Sequence, residues 1–322
     1  MALPNAPLRT NPALASLSVM FGPIDADFVA DRIFRTVDVN TKTGRFHEFL
    51  DGFAEASSDN DFDLAQGQDR PDLISNRSIL RDGWHVRPRG RGINNDVTYA
   101  QFAAGEGVDE YQVNAMRLRK LTQILRERSA AAIAFDAATT FASYTTAVPA
   151  ASKFDTATAN PQEYVDEIRE DVADVCGIMP NVATIGRKVF RKLKQNADLR
   201  DRRNAVGDSV MSPDEAMVAA YLGLDRVYVC RAVSNTAGEG LTASKSPIWT
   251  ETSMLLHYEA PAEVAMAPNS TLLRFRLSGT RDGAPNVYPL PGNYQERMDM
   301  VWVEQFAAPK PETGHLLTAV VS

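Results

Sequence analysis

Residues 45–107 hold too few apolar side chains to bury a core of their own, and this constrains the fold more than any other stretch of the chain. The first part, "DGFAEASSDNDFDLAQGQDRPDLISNRS", is polar and acidic. The second, "DGWHVRPRGRGINNDVTYAQFAAGEG", has two strand-like runs, Trp84–Arg87 and Asp96–Phe102, around the turn-rich basic link "PRGRGINN". That pattern predicts a long hairpin with Arg87, Arg89 and Arg91 at its tip. A two-stranded element is marginal alone in water and needs a surface to lie on. The forty or so residues before it mix Pro, Asn and Ala with short apolar clusters, the composition of an extended arm.

The remainder is regular. From Asp109 to Ala138 there is no Gly or Pro, and Leu118, Leu121, Leu125 and Ala132 recur at helical spacing. One long helix of about 45 Å is expected there. A second helix is expected over 160–176, with Asn160 as cap, Pro161 at its first position, Glu163 closing a capping box and Gly177 ending it. Val165, Ile168, Val172 and Val175 form its apolar stripe. A basic helix capped by Asn181 then carries Ile185, Val189 and Leu193 on one side and Arg187, Lys188, Arg191, Lys192 and Lys194 on the other. "SPDE" at Ser212–Glu215 starts another helix that stops at Gly223, and strand-like runs follow from "DRVYVCRAV" to "GHLLTAVVS". Irregular interleaving of helices and strands, without a repeat, points to α+β.

The chain has 322 residues, enough for two domains or one elaborate one, and 44% are hydrophobic. Its 34 Lys and Arg against 41 Asp and Glu give a net charge of −7, the wrong sign for a general nucleic-acid coat. Cys176 and Cys230 form no CxxC pair, the N-terminus lacks the pattern of a signal peptide, and no run of about 18 apolar residues occurs. A soluble protein folded in a reducing cytoplasm, without membrane contact, is expected.

Chemistry-bearing motifs are lacking. His47, His85, His257 and His315 are scattered singly. Asp59, Asp61 and Asp63 begin a calcium-loop pattern, but Leu64 stands where Gly is needed and Arg70 where the bidentate Glu belongs. "TAGEGLTASKS" fails the phosphate-loop spacing and reads as a loop between strands. No GxSxG motif or Cys/His pair supplies a nucleophile. No catalytic residue, cofactor or metal is expected.

The two charged helices admit three readings: a helix-turn-helix DNA reader, a pair of helices with solvated faces, or complementary surfaces that meet between copies. Asp166, Glu170 and Asp174 on the first helix oppose phosphate contact. Complementary faces of this kind set partner choice and register. Candidate inter-subunit contacts are therefore Arg87, Arg89 and Arg91, Asp166, Glu170 and Asp174, and Arg187, Lys188 and Arg191.

The stretches "DVADVCGIMPNVATIGRKVFRKLKQN", "SPDEAMVAAYLGLDRVYVCRAVSNTAGEG" and "IWTETSMLLHYEAP", with the tail "MDMVWVEQFAAPKPETGHLLTAVVS", resemble in this order the major capsid proteins of tailed phages. These share the Hong Kong 97-type shell fold with encapsulins. The resemblance implies an N-terminal arm over 1–44, an extended β-hairpin loop over 45–107, and a spine helix with peripheral domain over 108–150. It further implies an axial domain over 151–255 and, over 256–322, peripheral strands that return to the axial domain. It implies self-assembly into hexamers and pentamers of an icosahedral virion shell around double-stranded DNA, held without sequence-specific recognition. Portal, scaffolding and decoration proteins are the implied partners. An encapsulin-like cargo shell and a helix-turn-helix regulator are the alternatives. Some members crosslink Lys to Asn, but Phe46–Gly107 contains no Lys, which sets that chemistry aside here.

Overall fold

Two β-sheets share one long helix. The computed structural model describes residues 9–10, 28–49, 78–96, 110–156, 159–200, 214–236, 242, 244–261, 269–279, 285–289 and 295–322. In chain order the elements are β1 (Arg9–Thr10), α1 (Ala30–Ile33), β2 (Arg35–Val39), β3 (Thr43–Phe49), β4 (Ser78–His85), β5 (Arg87–Asp96), α2 (Glu110–Ala134) and β6 (Thr145–Ala147). Then come α3 (Pro161–Cys176), β7 (Val182–Gly186), α4 (Arg187–Gln195), α5 (Glu215–Tyr221), β8 (Arg226–Cys230), β9 (Val233–Asn235) and β10 (Lys245–Pro247). The chain closes with β11 (Met254–His257), β12 (Leu273–Leu277), β13 (Pro285–Pro289), β14 (Gln295–Ala307) and β15 (Gly314–Thr318). This is the mixed α+β arrangement expected.

The first sheet has the order β1-β13-β14-β12-β2, with β5 paired along β14. The 13-residue β14 is its axis. Side chains alternate across a strand, and β14 separates two layers by that rule. Met298 and Met300 pack with Ala115 and Leu118 of α2. Val303 and Ala307 pack on the opposite face with Val37, Leu273, Phe275 and two residues of the β3–β4 hairpin, Phe46 and Trp84. The second sheet has the order β6-β15-β11-β7-β8. One face, including Ile185, Val229, Met254 and Leu317, is covered by Val165 and Ile168 of α3, Val189 and Leu193 of α4, and Val218 and Leu222 around α5. The other face meets Ala130 and Ala134 of α2 and the segment from Val29 to Phe34.

Several sequence expectations are met and several are corrected. The Asn160 side chain accepts the Glu163 N–H, Pro161 opens α3, and Gly177 closes it in the left-handed region at φ 71°, donating its N–H to Ala173 O at 2.7 Å. Val175 does not join the buried stripe. It is 67% exposed, while Cys176, one i+4 step from Val172, takes the inward place. The long helix ends at Ala134 instead of Ala138, because the Asp136 carboxylate turns the chain by accepting the N–H groups of Ala138, Thr139 and Thr140. Those bonds hold its carboxyl well below the usual range, the Thr139 hydroxyl contributing most. Asp214 caps α5, accepting the Met217 N–H at 2.8 Å, whereas Ser212 lies outside the described residues. "TAGEGLTASKS" spans the connection of the β9–β10 pair, as expected of a loop between strands.

Two corrections bear on function. Asn181 does not cap a helix. Residues 182–186 form a strand buried along its whole length, parallel to β8 and antiparallel to β11, and α4 begins only at Arg187. Val182, Thr184 and Ile185 suit a central strand, and burial between two neighbours overrides their helical spacing. α3 and α4 are thus separated by a sheet strand, which removes the helix-turn-helix reading. Likewise "PRGRGINN" is not a turn. It lies within β5, whose register runs from Arg87 opposite Glu304 to Asp96 opposite Gln295. The hairpin pairs β3 with β4 instead, from Thr43 opposite His85 to Phe49 opposite Ser78. A ladder with a long partner strand prevails over turn-forming composition. The expected strand beyond Asp96 lies outside the described residues.

His257 on β11 is 1% exposed, and its Nε2 lies 3.1 Å from the Thr184 hydroxyl. Burial pushes its pKa down to about 3. The unfolded chain protonates this residue below about 6.5, the folded one only near 3, so its contribution to stability falls as pH drops between those values. Denaturant titrations at pH 7 and pH 4.5 should show that His257→Gln flattens the acid loss of stability by roughly 1.4 kcal/mol per pH unit within that window.

Candidate inter-subunit surfaces

The described residues contain no cluster of His, Cys, Asp and Glu able to hold a metal ion, and no described helix is long and apolar enough to cross a membrane. What they offer is the β3–β4 hairpin, a charge network on the other face of the first sheet, and three charged surfaces.

The hairpin is fixed at its base by aromatics. Trp84 stacks on Phe275 with ring centroids 5.5 Å apart and planes 19° apart, and Phe46 touches both rings. The Trp84 indole N–H donates to Thr41 O at 3.1 Å. Gly44 lies against the indole so closely that any Cβ would collide with the ring. Phe46 and Trp84 thus set the β3–β4 hairpin on the first sheet.

Behind the sheet, α2 faces β14 and β12 through charges. Arg126 donates to both oxygens of Glu304, at 2.7 and 3.0 Å, and to both oxygens of Asp31, at 3.1 and 2.6 Å. Arg274 pairs with Asp31 at 2.5 Å and with Glu304 at 3.3 Å. One helical position on, Glu127 is 1% exposed. Its carboxylate accepts the Ala30 N–H at 2.6 Å and the Trp249 indole N–H at 2.5 Å, joining α1, α2 and the segment after β10. Burial raises this carboxyl to about 7, against the pull of those donors.

The residues singled out in the sequence fall in different places. Arg87, Arg89 and Arg91 stand at alternate positions of β5, on the side facing α2, and not at a loop tip. Arg89 donates to the Ser129 hydroxyl at 2.8 Å. Among the described residues Arg87 and Arg91 have no partner. With Arg126, Leu125, Trp302 and Phe306 they line a cleft of about 740 Å³ between β5 and α2. Asp166 is held by Arg169 at 3.1 Å. Glu170 and Asp174 are exposed and unpaired among the described residues, on the outer face of α3. Arg187 and Lys188 are both engaged by Glu251, whereas Arg191 is exposed and has no partner among the described residues. The structure thus does not bring the arginines of β5 to the acids of α3 within one chain.

Residues that sequence reasoning missed are Phe46 and Trp84 at the hairpin base and the group Asp31, Arg126, Glu127, Arg274 and Glu304. An unbroken helical run with a charge pair at Arg126–Glu127 held no visible sign that both side chains point inward.

Three changes follow from this arrangement. Glu304→Ala leaves two guanidiniums short of their buried carboxylate and should cost about 3–5 kcal/mol in a denaturant titration. Trp84→Ala should cost a comparable amount, about 3–5 kcal/mol, read in the same titration. The folded Glu127 carboxyl keeps its proton up to about 7, whereas the unfolded one releases it near 4.5, so this group adds stability as pH falls from 7 to 4.5. Glu127→Gln should therefore steepen acid destabilisation over that window, the opposite of the His257 replacement.

No family model matches the chain, and no curated protein matches it in sequence. Solved structures do. A phage-related protein from Bordetella bronchiseptica RB50 aligns over 98% of this chain and 99% of its own, with a TM-score of 0.69 at 16% identity. A protein assigned as the capsid protein of an E. coli CFT073 prophage aligns over 97% and 99%, with a TM-score of 0.50 at 12% identity. The SrpI encapsulin of Synechococcus elongatus PCC 7942 aligns over 100% and 94% with a TM-score of 0.49 at 9% identity, too low to add weight. Two sheets on a long helix and the full-length alignments at TM-scores of 0.69 and 0.50 give this chain the Hong Kong 97-type shell fold.

Proposed function

We propose that this chain is the major capsid protein of a tailed double-stranded DNA phage, a structural protein that assembles as hexamers and pentamers into the icosahedral shell of the virion. The observation that carries the reading is the full-length likeness at TM-score 0.69 to a phage-related protein, supported by the likeness to a protein assigned as a prophage capsid protein. Function in such a shell is mechanical.

In this reading the N-terminal arm ends at α1, the extended loop is the β3–β4 hairpin with residues 50–77, the peripheral domain is the β14 sheet on α2, and the axial domain is the sheet covered by α3, α4 and α5. The two packed sheets act as the rigid parts of each subunit. Glu170 and Asp174 of one copy face Arg191 of the next, since these charges lack described partners within the chain. Portal, scaffolding and decoration proteins complete the particle. The net charge of −7 keeps the wall from gripping packaged DNA.

Negative-stain microscopy of the purified protein should show closed polyhedral particles or rings of five and six. Nuclease-protected DNA inside particles recovered from the host supports the phage role, whereas a defined protein content makes the chain an encapsulin-like shell. A uniform monomer at every concentration, with or without co-expressed scaffold, overturns both. Glu170→Lys with Asp174→Lys should lower assembly yield without changing the thermal midpoint, and adding Arg191→Glu should restore yield.

A further inference from the structure

α2 is covered unevenly along its length. Ala115 and Leu118 pack on Met298 and Met300 of β14, and Leu125, Ser129 and Ile133 line the cleft beside β5. On the far side of the helix, Glu127 is shielded by Ala30 and Trp249. N-terminal to that point the far side loses its cover. Val113, Met116 and Leu121 are 37%, 37% and 47% exposed, and Ile124 is half-buried beside them. At about 3.6 residues per turn, these four side chains fall with Arg117 and Lys120 in one arc of about 140°.

A solvated helix turns polar side chains outward. Single exposed apolar residues need no explanation, but a contiguous set along one helix marks a contact surface. The four apolar residues stand at i, i+3, i+8 and i+11, a spacing that a second helix can read. Charge narrows the partner further. Arg117 and Lys120 are exposed and have no partner among the described residues. Residues 113–124 contain no Asp or Glu, in a chain whose net charge is −7, so the sign is inverted locally. Cations beside an apolar stripe select an acidic partner and fix its orientation. The net charge repels a DNA duplex and an anionic membrane alike. A phosphate backbone would also leave the four apolar side chains unmatched.

We propose that Val113–Ile124 of α2 is the docking face for an acidic amphipathic helix of a partner protein. That helix seats its apolar stripe on Val113, Met116, Leu121 and Ile124 and sets carboxylates against Arg117 and Lys120. The contact lies on the side of α2 away from the cleft, needs no assembly of copies, and goes beyond the shell reading.

The test uses full-length protein and two fluorescein-labelled helical peptides of about 18 residues, each with one stripe of Leu, flanked by Glu in one and by Lys in the other. Anisotropy at low salt should show the Glu peptide binding, and binding should weaken with added salt. Affinity should fall about tenfold or more in Arg117→Glu/Lys120→Glu, and the Lys peptide should prefer that variant over the parent. Met116→Ser/Leu121→Ser should weaken the Glu peptide about tenfold as well. Should the glutamate variant melt early, Arg117→Gln/Lys120→Gln serves in its place. A benzophenone on a central Leu position of the Glu peptide should crosslink within 113–124. No binding of the Glu peptide, equal binding of both peptides by the parent, or unchanged affinity in the variants each overturns the proposal. So do crosslinks elsewhere and displacement of the peptide by duplex DNA. A dimer of the parent that excludes the peptide and is dissolved by Leu121→Glu assigns the face to a second copy and likewise overturns it.

Discussion

Everything described here hangs on the buried charge network where α2 crosses β14. Arg126 and Arg274 bind Glu304 from two elements, and both reach Asp31 on α1. Glu127, adjacent on the helix, takes the first N–H of α1 and the Trp249 indole. Five side chains thereby tie the N-terminal segment, the long helix, one sheet and the connection into the other. A buried ionic group of this kind adds little net stability over a well-packed apolar one. Its contribution is positional, because α2 must present Arg126 to Glu304 and Asp31 while Glu127 meets Ala30 and Trp249.

That positional demand separates rigid from adjustable parts. The second sheet is covered on both faces, by α3, α4 and α5 on one side and by α2 and the α1 segment on the other. The hairpin rests on the first sheet where Phe46 and Trp84 meet Phe275.

Charge is divided in a corresponding way. Arg187, Lys188 and Asp166 are satisfied within the chain, while Glu170, Asp174, Arg191, Arg87 and Arg91 have no described partner. Sequence alone treated these as one class, since all stand at outward positions of charged segments. Distances sorted them, because an ion pair depends on a few ångströms that helical or strand periodicity does not encode.

Local rules were enough wherever a signal is carried by neighbours in the chain. The α3 cap at Asn160, its stop at Gly177, the unbroken helix beginning near Asp109, and the α+β class all follow from side chains that act on backbone within a turn or so. The rest depended on partners far away in sequence. Residues 182–186 became a strand because β8 and β11 flank them, and "PRGRGINN" became a strand because β14 runs beside it. Trp84, Glu127 and Glu304 turned inward for the same reason. The sequence by itself determined the caps of α3, the unbroken run of α2 and the mixed α+β class. The tertiary structure decided which charges meet and which edges stay open, since burial and pairing energies belong to surfaces that exist only once distant segments are in contact.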